Sequence, residues 1–218
     1  IIGPSASGKT SLAKVLVGVW KPLSGKVRLD GADICQWDKA LLGPSIGYLP
    51  QDVELFDGTI AQNIARFSQN DSELIVAAAL LAGVHEMILR LPQGYDTLLG
   101  AGGYQLSGGQ RQRIGLARAV YNNPAFIVLD EPNANLDDAG EFALVKAINT
   151  LRTQGQTTVI ISHRPTLLGV VNKVLLLNDG AIQEFGTRDQ VFAHLRQANV
   201  LKPVATPSPS TTEQQREA

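Results

Sequence analysis

Gly3-Pro4-Ser5-Ala6-Ser7-Gly8-Lys9-Thr10, residues 3–10, decides how the rest of this 218-residue chain is read. It fits the spacing G-x-x-x-x-G-K-[ST]. The glycines let backbone N–H groups turn inward around phosphate oxygens. Lys9 adds a cation for β- and γ-phosphates, and the Thr10 hydroxyl is placed to ligate Mg²⁺. A helix is expected from Ser11 to Val19, so its N-terminal dipole, with Ser11 in the first turn, joins the anion site. Ile1 and Ile2 read as the end of the strand that precedes such a loop. A plain Gly/Ser-rich turn before a helix would need neither the strand nor the amphipathic helix, so the stretch reads as a nucleotide-binding loop. An opening without Met, two residues from this loop, reads as a piece of a longer protein. With most of the loop's strand missing, a central sheet position is expected to be underfilled, and the isolated chain poorly stable and a weak ATP binder.

Outward from the loop, short apolar runs alternate with helical patterns, which predicts an α/β fold with a mostly parallel sheet and flanking helices. Strands are expected at Ile46–Leu49, Phe126–Leu129 and Thr157–Ile161, all apolar or β-branched as in a buried parallel sheet. Hairpins are expected around Asp30-Gly31 (Lys26–Leu29 with Ala32–Ile34) and Asn178-Asp179-Gly180 (Lys173–Leu177 with Ala181–Phe185). Helices are expected at Ser72–Ala82, capped by Asn70 with Glu73 and stopped by Gly83, and at Gly109–Tyr121 and Asp138–Leu151. Thr187 and Gln190 have capping-box spacing at the start of a last helix. The antiparallel hairpins form a small region of their own, and residues 55–122 an inserted helical subdomain. The folded unit is read as 1–202, and 203–218, rich in Pro, Ser, Thr and Gln, as a disordered tail.

In open α/β sheets ligands bind at the carboxyl ends of strands. Here the strands run into the Gly-rich loop, into Gln51, into Asp130-Glu131, and through Ser162 into His163. An apolar strand ending in two acids needs a reason, because desolvated carboxylates are costly. Asp130 suits the water shell of Mg²⁺, and Glu131 suits the positioning of an attacking water; solvated loop acids are the bland alternative. His163 is placed to touch a γ-phosphate, whereas His85 and His194, in helical stretches without a partner signal, read as structural. Leu106-Ser107-Gly108-Gly109-Gln110 opens a helix with Arg111 and Arg113 in its first turns. A Ser hydroxyl and two glycine N–H groups there make a second anion site. A mononucleotide fold needs one phosphate loop, so a second points to another bound nucleotide.

Composition limits the classes. A net charge of −1 argues against nucleic acid and anionic membrane surfaces. No stretch reaches the roughly 18–20 apolar residues of a membrane span; the best, Ile75 to Val84, is too short. Cys35 is the only cysteine, which excludes an intrachain disulfide and fits a reducing compartment. It reads as a small apolar residue beside a hairpin.

With these residues in view, the chain resembles the ATP-binding cassettes of ABC transporters, and the P-loop NTPase fold follows from that. LSGGQ, at residues 106–110, stands where that family's signature is expected, between the Gln51 loop and the Asp130 strand. The resemblance implies that two cassettes pack head to tail, each ATP lying between one P-loop and the other chain's signature. It implies that Gln51 is a Mg²⁺ ligand and contact to a membrane domain, that Asn135-Leu136-Asp137 signals across the dimer, and that His163 is the switch histidine. The segments 48–52 and 55–64 resemble exporters, and within those the ATPase subunits of type I secretion systems. Such proteins are homodimers in the bacterial inner membrane, with the cassette on its cytoplasmic face, a transmembrane domain upstream, an adaptor protein and an outer-membrane channel. Two departures are notable. Gly100-Ala101-Gly102-Gly103 lacks the glutamate that exporters commonly carry there, so a carboxylate contact to the membrane domain is missing. The adenine-stacking aromatic residue is expected upstream of Ile1. A soluble ABC ATPase and a non-hydrolysing regulatory cassette are the alternatives.

Overall fold

A computed structural model describes residues 1–69, 71–100 and 102–197. The elements run α1 (Lys9–Leu16), β1 (Arg28–Leu29), β2 (Ala32–Asp33), α2 (Lys39–Leu42), β3 (Ile46–Leu49), β4 (Gly58–Thr59), α3 (Ile60–Ile64), α4 (Ser72–Leu81), α5 (His85–Leu89), β5 (Leu98–Leu99), α6 (Gly108–Val120), β6 (Phe126–Asp130), α7 (Asp138–Thr153), β7 (Thr157–Ile161), α8 (Pro165–Leu168), β8 (Lys173–Asn178), β9 (Ala181–Thr187) and α9 (Arg188–Gln197). The central sheet is parallel, in the order β3-β6-β7, with Leu49 opposite Leu129 and Leu129 opposite Ile160. Ile1 and Ile2 extend it. Ile1 donates to Ile160 O at 2.6 Å, Ile2 N donates to Leu175 O and Leu177 N to Ile2 O, both at 2.9 Å. The two residues therefore bridge β7 to the β8–β9 hairpin, and the position expected to be underfilled carries hydrogen bonds on both sides.

Both faces of the sheet are covered, which is why its strands are near-continuous apolar runs. Ile127 and Leu129 point into a core shared with Ile114 of α6 and Leu144 and Leu151 of α7, while Val128 and Ile161 point the other way, onto Ala13 of α1. Buried side chains of the 55–122 segment, among them Ile60, Ile64, Ile75 and Ile88, join the first core. The helical insertion and the sheet thus share one interior. β3 lies so close to α6 that a Cβ on Gly47 would stand 2.1 Å from the Ala119 carbonyl oxygen. Gly47→Ala is expected to push the two apart and cost about 1–3 kcal/mol, measurable as a lowered unfolding midpoint.

Arg66 holds this junction from the side. Its guanidinium donates to the carbonyls of Arg118 and Ala119 in the last turn of α6 and to those of Gly43 and Ile46 ahead of and within β3. Helix-terminal carbonyls lack intrahelical partners, and a cation there also opposes the dipole. Burial and the neighbouring Arg118 lower the Arg66 pKa.

Several local expectations need correction. Asp71 caps α4, accepting from Glu73 N and Leu74 N at 3.0 and 3.2 Å; Asn70 lies outside the described residues. α1 starts two residues earlier than expected and ends at Leu16. Only half of the box at α9 forms: Gln190 Oε1 accepts from Thr187 N and from the Thr187 hydroxyl. Cys35, beside the β1–β2 hairpin as read, is exposed. His85 and His194, read as structural, bond to the Tyr95 hydroxyl at 2.8 Å and the Glu184 carboxylate at 2.6 Å, in keeping with that reading. No helix among the described residues is long and apolar enough to cross a membrane. Ala101 and the 203–218 tail lie outside the described residues.

Candidate active site

The Gly-rich loop leaves Ile2 and turns over the carboxyl edge of the sheet. Ser7 N donates to Pro4 O, and Gly180 N, in the β8–β9 turn, donates to Ser7 O. The hairpin thereby braces the loop from outside. Ala6 holds a left-handed φ of 62°, and Gly8 caps α1 with no side-chain hydrogen bond. Pro4, Ser5 and Ser11 are exposed, whereas Ser7 is buried. Lys9 is 8% exposed, and its ammonium donates to Gly3 O at 2.9 Å and Pro4 O at 2.7 Å. The loop holds its cation folded against its own carbonyls.

Asp130 ends β6 fully buried on the face toward α1, and neither carboxylate oxygen has a hydrogen-bond partner among the described residues. Burial pushes its pKa up; the Thr10 hydroxyl and the Lys9 and Lys14 cations pull it back in part. Glu131 then leaves the strand in a left-handed conformation, φ 46°. Its carboxylate lies 3.2 Å from His163 Nε2, at the end of β7. The register of β6 on β7 puts Asp130 opposite Ile161, so the two strand ends and their polar residues meet. Gln51 follows Pro50 beyond β3 and is exposed.

The second Gly-rich segment lies against Asn135, in the loop that follows Glu131. Ser107 caps α6, its Oγ accepting from Gln110 N at 3.3 Å while Gln110 Oε1 accepts from Ser107 N at 2.8 Å. This capping box uses an acceptor of the Ser107 hydroxyl and leaves its proton free to donate. Gly108 packs on the Asn135 side chain, and a Cβ on Gly109 would stand 2.6 Å from Asn135 O. Asp137 caps α7 by accepting from Gly140 N at 2.8 Å.

Residues 1–134 match the family model for ABC transporters. The chain belongs to that family. It is 54% identical, over 94% of its length, to the type I secretion system ATP-binding protein PrsD of Rhizobium meliloti, of which it covers 36%. It is 36% identical, over 89% of its length, to the ATP-dependent lipid A-core flippase of Burkholderia orbicola, of which it covers 32%. A solved structure of a bacterial Atm1-family ABC exporter with ATP bound superposes with a TM-score of 0.79 at 31% identity, covering 94% of this chain and 37% of that one. This ABC cassette thus spans about a third of the length of these relatives.

The residues of the cassette fit a magnesium ion. A fully buried carboxylate with unpartnered oxygens beside a threonine hydroxyl is a donor set for a hard cation. Mg²⁺ is usually held by one or two carboxylates together with substrate phosphates, and no cluster of three His, Cys, Asp or Glu side chains occurs among the described residues. Sequence reasoning passed over Asn133 and Gln112, and gave Ser162 no partner. Ser162 donates to Asn133 Oδ1 at 2.9 Å, and Gln112 Nε2 donates to Pro132 O at 3.3 Å and Glu131 O at 3.4 Å. A glutamine on the buried face of α6, among Ile114, Leu116 and Ala117, was the one signal available.

Proposed function

We propose that this chain is the ATP-hydrolysing cassette of an exporter, and that the carrying observation is the contact of Glu131 with His163 beside the buried, unpartnered Asp130 and the Lys9 loop. Residues 3–11 bind the ATP phosphates through backbone N–H groups, and Lys9 exchanges its loop carbonyls for β- and γ-phosphate oxygens. Thr10, Asp130 and Gln51 hold Mg²⁺, whose charge offsets that of the phosphates. Glu131 orients the attacking water, and His163 touches the γ-phosphate. Catalysis of phosphoryl transfer rests mainly on positioning and charge, and these residues supply both.

Ser107, Gly108, Gly109 and Gln110 serve the nucleotide of a second copy packed head to tail, since the chain has two anion loops and one set of catalytic side chains. The folded cassette is 1–202, with 55–122 as a helical arm facing a transmembrane domain encoded upstream. The 54% identity to a protein named for type I secretion favours polypeptide export, with an adaptor and an outer-membrane channel as partners, from the cytoplasmic face of a bacterial inner membrane. The net charge of −1 gives no support to a nucleic-acid partner.

The test is export by cells carrying the full-length protein. A polypeptide is expected in the medium, lost with Lys9→Ala along with ATP turnover. An unchanged set of secreted polypeptides, with altered outer-leaflet lipid instead, would replace the secretion reading by lipid transport.

A further inference from the structure

Glu131 occupies a left-handed backbone conformation that a non-glycine residue keeps only when its surroundings enforce it. The structure identifies what does so. Glu131 N donates to Ile161 O at 2.9 Å, and Glu131 O accepts from Ala134 N at 3.0 Å. Gln112 reaches from α6 to the carbonyls of Glu131 and Pro132. On the other side, the Ser162 hydroxyl donates to Asn133 Oδ1 and accepts from Arg164 N at 3.1 Å. One hydroxyl therefore ties the loop after Glu131 to the residues on both sides of His163.

We propose that Asn133, Ser162 and Gln112 are positioning residues, which hold the Glu131 carboxylate against His163 through the backbone of the 131–137 loop and the 162–164 turn. This rests on the reading of Glu131 and His163 as the hydrolytic pair. All three side chains are buried, and their hydrogen bonds run to the loop after Glu131 and the turn around His163, so they act on the pair through the chain. The Ser162 hydroxyl is spent on its two bonds. Removing the Ser162 hydroxyl leaves the Asn133 oxygen and the Arg164 N–H without their partner, and the loop and the turn become free to separate. Positioning of this kind matters for rate because a displacement of about 1 Å at reacting groups costs about 100-fold.

The experiment measures kcat, KM for ATP, ATP affinity and unfolding midpoint on the full-length protein carrying Ser162→Ala, Asn133→Leu or Gln112→Leu. The expected result is a kcat lowered about 10- to 100-fold, with KM and ATP affinity within about twofold. Ser162→Ala with Asn133→Leu should be no worse than Ser162→Ala alone, because Ser162→Ala already removes the one bond that Asn133→Leu breaks. Asn133→Asp keeps an acceptor for the hydroxyl and should retain most of the turnover that Asn133→Leu loses. Unchanged kcat with a lowered midpoint, or equal loss in Asn133→Asp and Asn133→Leu, would overturn the proposal. Glu131→Gln in the same protein separates the failures. If it hydrolyses ATP normally, the underlying reading is wrong; if it is inactive while the three variants are fully active, only the positioning role is wrong.

Discussion

Glu131→Gln is expected to lower ATP turnover by about 10²–10⁴-fold, the range for losing a positioned general base, while ATP affinity stays within a small factor. The substitution keeps the shape of the side chain and removes the charge that faces His163 at 3.2 Å. The phosphate loop does not depend on it: Lys9 and the backbone of residues 3–10 are held by Ile1–Ile2 and by the Gly180–Ser7 bond. A cassette that binds ATP and cannot hydrolyse it should accumulate as a closed dimer, visible as an ATP-dependent crosslink between copies. Steady-state hydrolysis at the parent rate would remove Glu131 from the mechanism. Loss of ATP affinity in parallel with rate would instead mean that Glu131 shapes the phosphate loop.

Asp130→Asn is expected to move stability and activity in opposite directions. The parent carboxylate is fully buried without a hydrogen-bond partner, and burial raises its pKa. A raised folded-state pKa means that the fold favours the protonated form. The penalty is absent below the unfolded-state pKa and grows as pH rises through the folded value. In metal-free, nucleotide-free buffer at neutral pH, Asp130→Asn should therefore relieve the part of the charge-burial cost that Thr10, Lys9 and Lys14 do not offset, and raise the unfolding midpoint. The gain should shrink on acidification as the parent protonates. Mg²⁺-dependent turnover should fall by about 10²-fold or more, since a fixed charge facing the reacting phosphates is lost. A lowered midpoint at neutral pH would show that Asp130 is paired in solution and that its role is structural.

Sequence reading was most reliable where one short segment carries its own physics. β3 and β7 fall on their expected bounds because parallel strands covered on both faces are apolar or β-branched runs, which end abruptly here in Pro50 and Ser162. The polar residues read at the strand ends do stand at the carboxyl edge of the parallel sheet, where Glu131 after β6 lies 3.2 Å from His163 after β7. Helix ends were less legible. α1 begins at Lys9 because Gly8 serves as its cap in a left-handed conformation, which spacing alone does not reveal. The Arg66 clamp, the His85–Tyr95 and His194–Glu184 contacts and the Asn133–Ser162 bond were invisible. Each joins residues brought together only by packing, and no periodicity encodes it. Cys35 does stand beside a hairpin, in the 3₁₀ turn that follows β2 and is capped by Asp33, and is exposed there.

The central claim, that each ATP site is built from the Lys9 loop of one chain and the Ser107 loop of another, is tested most directly by complementation. Full-length chains carrying Lys9→Ala are coexpressed with chains carrying Ser107→Arg, differently tagged, and mixed dimers are isolated for ATP turnover. Head-to-tail sharing leaves one site with both loops intact, so the mixed dimer should hydrolyse ATP well above either variant alone. Mixed dimers no more active than the single variants, alongside active parent dimers purified in the same way, would contradict it.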